Sequence, residues 1–258
     1  MEANFNLATY ALLLLVLIFS LISFWRPSRR TGRLAEAGSA LAWLCMTLAL
    51  ALRALGAGRL PVASLYEFSL LMVWGTMAFT LIIYRRTGSQ LVLVLATLLE
   101  VALLSYANTL AQAAGPLPPA LQSVWLKLHV ATAVAAYGAF GLSFCLAIAY
   151  LALTRPTLRD QMEEAMYWSI TVGFPFLTLV IITGAIWAEQ VWGRWWSWDP
   201  KETWALATWL IYAAYLHARK TYGWRGKRAA LMAVVGFGAV LFTWFGVSFL
   251  LPSIHSYL

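Results

Sequence analysis

Residues 192–199 read Trp-Gly-Arg-Trp-Trp-Ser-Trp-Asp, which puts Trp192, Trp195, Trp196 and Trp198 within seven residues and ends on the carboxylate of Asp199. Ordinary packing in a bilayer does not demand such a cluster. Indole rings present wide apolar faces with an N–H donor at the edge, a surface suited to a flat, mostly apolar ligand with charged corners. An iron porphyrin has that shape. The three histidines of the chain, His129, His217 and His255, supply imidazoles that could hold its iron.

The elements that must position these residues are membrane helices. Hydrophobic types make up 62% of the 258 residues and charged types 11%, against roughly a quarter charged in soluble domains. Nearly charge-free runs cover residues 5–25, 38–52, 68–84, 91–110, 130–154, 166–188, 204–216 and 229–251. A helix needs about 20 residues to cross the hydrocarbon core. The first, fourth, fifth, sixth and eighth runs therefore suffice alone, and the others borrow flanking residues. The expectation is an all-α, polytopic membrane bundle of about eight transmembrane helices, one integral membrane domain over residues 1–258 with the tryptophan loop at about 189–204.

Local signals refine this outline. Asp199 is a predicted N-cap, with Pro200 at the first helical position and Glu202 three residues after the cap, so the seventh helix starts before its apolar run. Pro175 inside the sixth run predicts a kink, because its missing N–H leaves a carbonyl unpaired one turn back. The first run is too long for a signal-peptide core and has no basic region before it, so it is read as a retained span. Cys45 and Cys145 stand singly inside predicted helices without a C-x-x-C pair, which argues against thiol redox chemistry and against a covalently attached haem of the chain's own.

Basic residues set the orientation. Arg26, Arg29, Arg30, Arg33, Arg85, Arg86, Arg155, Arg159, Arg219, Lys220, Arg225, Lys227 and Arg228 fall on one set of connections, 13 of the 18 Lys and Arg, leaving Arg53, Arg59, Lys127, Arg194 and Lys201 on the other. By the positive-inside tendency the first set is cytoplasmic, so both termini and the tryptophan loop face outward. The net charge of +8 is then a topology signal, and nucleic acid is not an expected partner.

In this frame the histidines separate by depth. His129 opens the fifth helix and His255 follows the eighth, both on the outer side. His217 lies 17 residues beyond Pro200, about 25 Å along the seventh helix at 1.5 Å per residue, near the cytoplasmic leaflet. It cannot share an iron with the other two. An outer site could be closed by His129 and His255 as opposing axial ligands beneath the tryptophans. The inner site has one imidazole, whereas haem b in a bilayer is ordinarily held by two axial side chains. A second polypeptide must then supply the missing ligand.

Plainer explanations stay open on the residues alone. An interfacial Trp often belongs to an aromatic belt, and Asp199 is explained as a helix cap. His217 could favour the negative end of its helix or snorkel to the interface, and His129 and His255 could be surface residues. Glu100, midway along the fourth run, makes either a structural hydrogen bond or a proton relay. Glu67 either braces an outer cavity or sits among headgroups.

At these residues the chain resembles the CcsA/ResC family of cytochrome c biogenesis proteins, the haem-handling component of the System II synthase. The stretch from Trp192 to Leu206 is similar to that family's WWD signature, and Leu65-Tyr66-Glu67 and His255-Ser256-Tyr257 resemble its other short motifs. The resemblance implies that His129 and His255 ligate exported haem b at the outer site. It also implies that His217 belongs to an inner haem site completed by a CcsB/ResB-type partner. It implies a multi-pass protein of the bacterial plasma (inner) membrane, with the WWD loop on the periplasmic or extracytoplasmic side. Apocytochrome c would be the acceptor and a thioredoxin-like thiol reductant a further partner. Within such a holocytochrome c synthase, or haem lyase, complex the chain would export haem and present it for attachment to CxxCH segments. No side chain here is an obvious acid, base or nucleophile for that addition, so whether the single chain is an enzyme stays open. Competing readings are a System I type haem-delivery protein, a dihaem b-type membrane cytochrome, which needs paired histidines at each depth, and a solute channel with aromatic gates.

Overall fold

The structure, a computed structural model, describes residues 1–251, so His255 and its neighbours lie outside the described residues. Helix is the regular structure throughout: α1 (Glu2–Trp25), α2 (Arg29–Ala57), α3 (Leu65–Thr87), α4 (Gln90–Thr109), a 3-10 turn (Pro119–Leu121), α5 (Val124–Ala152), α6 (Pro156–Trp192), α7 (Pro200–Tyr222) and α8 (Lys227–Leu241). α8 continues through a π turn (Phe242–Gly246) into the short α9 (Val247–Leu250). Each apolar run of the sequence coincides with one of these helices.

Among the described residues, seven helices are long and apolar enough to cross a membrane, counting Lys227–Leu250 as one. α7 is long enough at 23 residues but too polar to qualify by hydropathy. Charged residues at its two ends, Lys201 and Glu202 at the start and Arg219 and Lys220 in the last turn, lower its hydropathy, while Thr208, Tyr212, Tyr215 and Ala218 turn inward.

Several helices extend past their apolar runs, because charged residues end a hydropathy run without ending a helix. Arg, Lys and Glu are good helix formers. α2 starts at Arg29, where the Ser28 side chain accepts from the Arg30 N–H. α6 starts at Pro156 and, at 37 residues, is about 55 Å long, well beyond a hydrocarbon core of about 30 Å. It runs through Pro175 as one continuous helix.

The chain divides into two compact units, the first covering Met1–Leu117 and the second starting at Pro118. In the first, α1 packs on α2 and α4, and α3 on α4 and α2. The turns bearing Arg26, Arg29, Arg30, Arg33, Arg85 and Arg86 lie at one end. At the other end a buried ion cluster ties the helices together. Glu67, fully buried in the first turn of α3, accepts from Arg53 Nε at 2.9 Å, from Arg59 Nη1 at 2.9 Å and from the Ala63 N–H at 2.7 Å. Arg53 also donates to Glu2 at 3.0 Å and to the Gln112 carbonyl at 3.1 Å. Its guanidinium lies 4.8 Å from the centre of the Tyr66 ring.

The Leu-Tyr-Glu stretch is thus a structural brace, and Glu67 is not a headgroup-exposed residue. Arg53, expected in a connection, is a buried residue of α2. Its charge is matched by carboxylates that sequence spacing did not connect to it. Glu100 is buried between α3 and α4, where the Thr80 hydroxyl donates to it at 2.8 Å.

In the second unit α5 packs along α6, and α8 lies against both α5 and α7. Close approach depends on small residues, as in many membrane bundles. A Cβ added at Gly173 would come within 2.7 Å of Phe140, and one at Gly236 within 2.7 Å of Tyr212. The rings of Phe140 and Tyr212 stack with centroids 3.8 Å apart, joining α5 to α7.

Candidate functional site

α6 ends at Trp192 because Gly193 takes the left-handed conformation, with φ of 69°, that closes a helix. The loop proper is residues 193–199, shorter than the span read from sequence. Asp199 is the N-cap of α7, its side chain accepting from the Lys201 N–H at 3.0 Å, and a capping box with Glu202 is complete.

Glu202 does more than the capping pattern requires. Its Oε2 accepts from the Ser197 N–H at 2.8 Å, from the Ser197 hydroxyl at 3.2 Å and from the Asp199 N–H at 3.2 Å. Between those two amides sits Trp198, a non-glycine residue with a φ of 59°. Such a conformation costs on the order of 1–3 kcal/mol and persists only when its surroundings hold it. One carboxylate gripping both flanking amides supplies that hold. Trp198 is thereby turned outward, 68% exposed, and its ring meets Trp196 edge-on at 5.7 Å. Trp195 is 59% exposed. Two broad indole faces are therefore presented rather than packed away.

His129 stands in the second turn of α5, half-buried. Its Nδ1 lies 2.9 Å from the Val180 carbonyl of α6. A carbonyl only accepts, so Nδ1 carries the proton and the lone pair is left on Nε2, the tautomer an iron ligand requires. The ring has a seat because position 184 is glycine: a Cβ there would lie 2.9 Å from His129 Nδ1 and 2.9 Å from Cε1. Gly184→Ala is expected to force the imidazole off Val180 at a cost of about 1–3 kcal/mol. It should lower the melting temperature while helix content measured by circular dichroism is unchanged. An unchanged melting temperature would show that the ring does not depend on this seat.

Trp187, which the sequence pattern did not single out, links His129 to the loop. It is 2% exposed and its Nε1 donates to the Ala120 carbonyl at 2.9 Å. Its ring lies nearly parallel to His129, 24° apart with centroids at 6.3 Å, and meets Trp192 at 4.9 Å. Ser123, the N-cap of α5, donates to Gln190 at 2.9 Å. His129 and the start of the tryptophan loop are thus at the same end of the second unit. The one available signal was spacing, since Trp187 precedes Trp192 by five residues outside the dense cluster.

Below the loop, Trp204 of α7 packs on Phe242 at 4.3 Å, and the Thr208 and Thr243 hydroxyls are 3.4 Å apart. Phe242 and Thr243 belong to the π turn, a feature that often marks functional segments. The chain beyond it leads to His255, whose assignment falls outside the described residues.

His217 is at the other end of the unit, in the last turns of α7. It is exposed and falls on a stripe with Thr203, Leu210, Ala214 and Thr221, spaced three, four or seven residues apart and facing away from the buried tyrosines. Arg219, two residues on, is anchored inward: it pairs with Glu163, lies 4.5 Å over the Tyr167 ring, and Glu163 also accepts from the Gly226 N–H at 2.9 Å. This anchor fixes the rotation of the helix end that leaves His217 outward. The histidines of α5 and α7 are not brought together.

Comparison with known proteins gives a consistent picture. The family model described as Cytochrome C assembly protein matches residues 62–255. The Cytochrome c biogenesis protein CcsA of Synechococcus elongatus is 34% identical over 100% of this chain and 97% of its own length. The protein of the same description from Prochlorococcus marinus is 38% identical over 98% and 92%, and that from Guillardia theta 34% over 94% and 93%. Among solved structures, the Cytochrome c Heme Lyase CcmF superposes with a TM-score of 0.78 over 98% of this chain at 22% identity, a likeness of fold. The chain spans 47% of that larger one.

Proposed function

Since the chain belongs to the cytochrome c assembly family, together with the CcsA cytochrome c biogenesis proteins, we propose that it handles haem b as its cargo in a System II synthase, taking it up at an inner site and presenting it to apocytochrome c at an outer one. A role in cytochrome c biogenesis follows from the family. Two sites, a shared partner and outward presentation of the loop are the finer content of this reading.

The observation that supports it best is the seat of His129: a Val180 carbonyl that sets the tautomer, a glycine that makes room, and Trp187 leading to the tryptophan loop. These residues fit a porphyrin iron ligand. His129 with His255 would hold the iron from opposite sides. Trp195, Trp196 and Trp198 would offer their faces to the macrocycle, while Asp199 and Glu202 keep the loop in shape. Attachment to a C-x-x-C-H segment then depends on positioning and on shielding the iron until the acceptor's histidine takes the place of one ligand. When bound, haem supplies the vinyl groups that react with the acceptor's thiols.

At the inner end, His217 would meet an imidazole of a CcsB/ResB-type membrane protein. Its outward stripe on α7 suits a helix-to-helix contact in the bilayer. In this reading the loop and both termini are extracytoplasmic, and the membrane is the bacterial plasma membrane.

The test is to express the chain with and without a CcsB-type partner and record absorption spectra of the purified material. Bis-imidazole bands attributable to the inner site are expected only with the partner, and are expected to disappear in His217→Ala. Bands that persist without the partner and survive that substitution would defeat the shared site.

A further inference from the structure

At the end of the first unit away from its basic turns, a cavity of about 670 Å³ opens beside α1. Its size falls in the range of small-molecule sites, roughly 300–1,000 Å³. Its polar lining includes Glu2, Asn6, Arg53, Tyr66, Asn108 and Gln112, and Ala3 and Leu7 belong to its apolar lining. Leu7 is 70% exposed, so the cavity is bordered by a surface suited to acyl chains.

Asn6 is the informative residue. It is 6% exposed, and its Nδ2 donates to the Tyr66 hydroxyl at 3.1 Å. The Tyr66 hydroxyl oxygen is the acceptor of this bond. The carboxamide is thereby oriented, and Asn6 Oδ1 is left buried without a hydrogen-bond partner. A buried acceptor in that state costs about 1–3 kcal/mol.

We propose that this cavity binds the ammonium headgroup of a phosphatidylethanolamine-type lipid, with Asn6 Oδ1 and the Glu2 carboxylate as its acceptors. The sign of the ligand follows from the lining. Arg53 directs Nε to Glu67, Nη1 to Glu2 and Nη2 to the Gln112 carbonyl. Two carboxylates and two guanidiniums already balance in the cluster. What remains toward the cavity is the Asn6 carboxamide oxygen and the partly exposed Glu2 carboxylate, two acceptors that favour a cationic N–H donor, beside the Tyr10 hydroxyl and the Asn108 and Gln112 side chains. An anionic phosphate would face Glu2 instead. The position at the helix ends is headgroup depth, and the apolar side at Ala3 and Leu7 receives the start of the acyl chains. The proposal does not depend on the haem reading above.

The test uses the full chain purified in mild detergent and exchanged into nanodiscs of phosphatidylcholine containing phosphatidylethanolamine, its N-methyl and N,N-dimethyl derivatives, or phosphatidylglycerol. Lipid retained after release from the disc is read by native mass spectrometry. Retention is expected to fall stepwise as methyl groups replace N–H donors. Phosphatidylglycerol should be retained no better than phosphatidylcholine. Asn6→Leu and Glu2→Gln are each expected to lower phosphatidylethanolamine retention about tenfold, the size of one hydrogen bond to a charged group.

Equal retention across the methylation series would overturn the proposal, and so would preference for phosphatidylglycerol. Absence of any retained lipid would mean that water alone satisfies Asn6, and would also overturn it. The series is read on the unsubstituted protein, so it remains decisive where a variant misfolds.

Discussion

His129→Ala is expected to bring c-type cytochrome formation down by more than about 100-fold, because losing a partner one shell out from a metal already costs about 10–100-fold elsewhere. In the proposed reading His129 is an axial ligand of the haem iron. The Val180 carbonyl accepts from Nδ1, which puts the lone pair on Nε2, the atom that would bind iron in this reading. Alanine removes that lone pair and leaves a hole of imidazole size between Gly184 and Trp187. Added imidazole can enter such a hole, so partial rescue is expected at millimolar concentration. Haem stain and absorption of a reporter cytochrome measure both effects. Unchanged assembly in His129→Ala and in His255→Ala would remove the outer site from the proposal. Loss without rescue in His129→Ala, accompanied by a lower melting temperature, would mean that His129 serves the packing of α5 on α6 rather than iron.

Glu67→Ala is expected to be the most destabilising single substitution in the first unit. Glu67 is fully buried and takes bonds from two guanidiniums whose side chains are 4% and 12% exposed. Removing the carboxylate leaves both cations in a poor solvent with only Glu2 and backbone carbonyls as acceptors. Breaking a buried pair in this way costs about 3–5 kcal/mol, or about 6–20 °C in Tm for a chain of this size.

Glu67→Gln keeps the shape and one acceptor oxygen, and is expected to lose less. Replacing Arg53 and Glu67 together with Met should recover part of the loss, since the penalty comes from the uncompensated charge and not from the absence of the pair. Thermal unfolding in detergent measures all three. A Glu67→Ala protein that melts with the wild type would mean that water reaches the cluster and screens it.

The fold class and the outline of the helices were legible in the sequence because a bilayer imposes one strong requirement, about 20 apolar residues with every backbone group bonded within the segment. The start of α7 was equally legible, since Asp199, Pro200 and Glu202 act on neighbouring backbone. Helix ends inside charged stretches, as at Pro156 and Arg29, were not, because hydropathy registers the solvent and not the hydrogen bonds.

For the site, the tryptophan cluster and the depth separation of His129 and His217 came from counting along helices. That count needs only the rise per residue. Tertiary structure alone decided the rest. Val180 and Gly184 seat His129 although they lie more than fifty residues away. Glu202 holds a strained Trp198 from the far side of the cap, and Arg53 finds Glu2 and Glu67 on two other helices. Each of these depends on which helix faces meet and at what rotation. A local pattern of residue types does not encode that rotation, because many packings satisfy the same apolar runs and only the close-packed one brings these side chains within bonding distance.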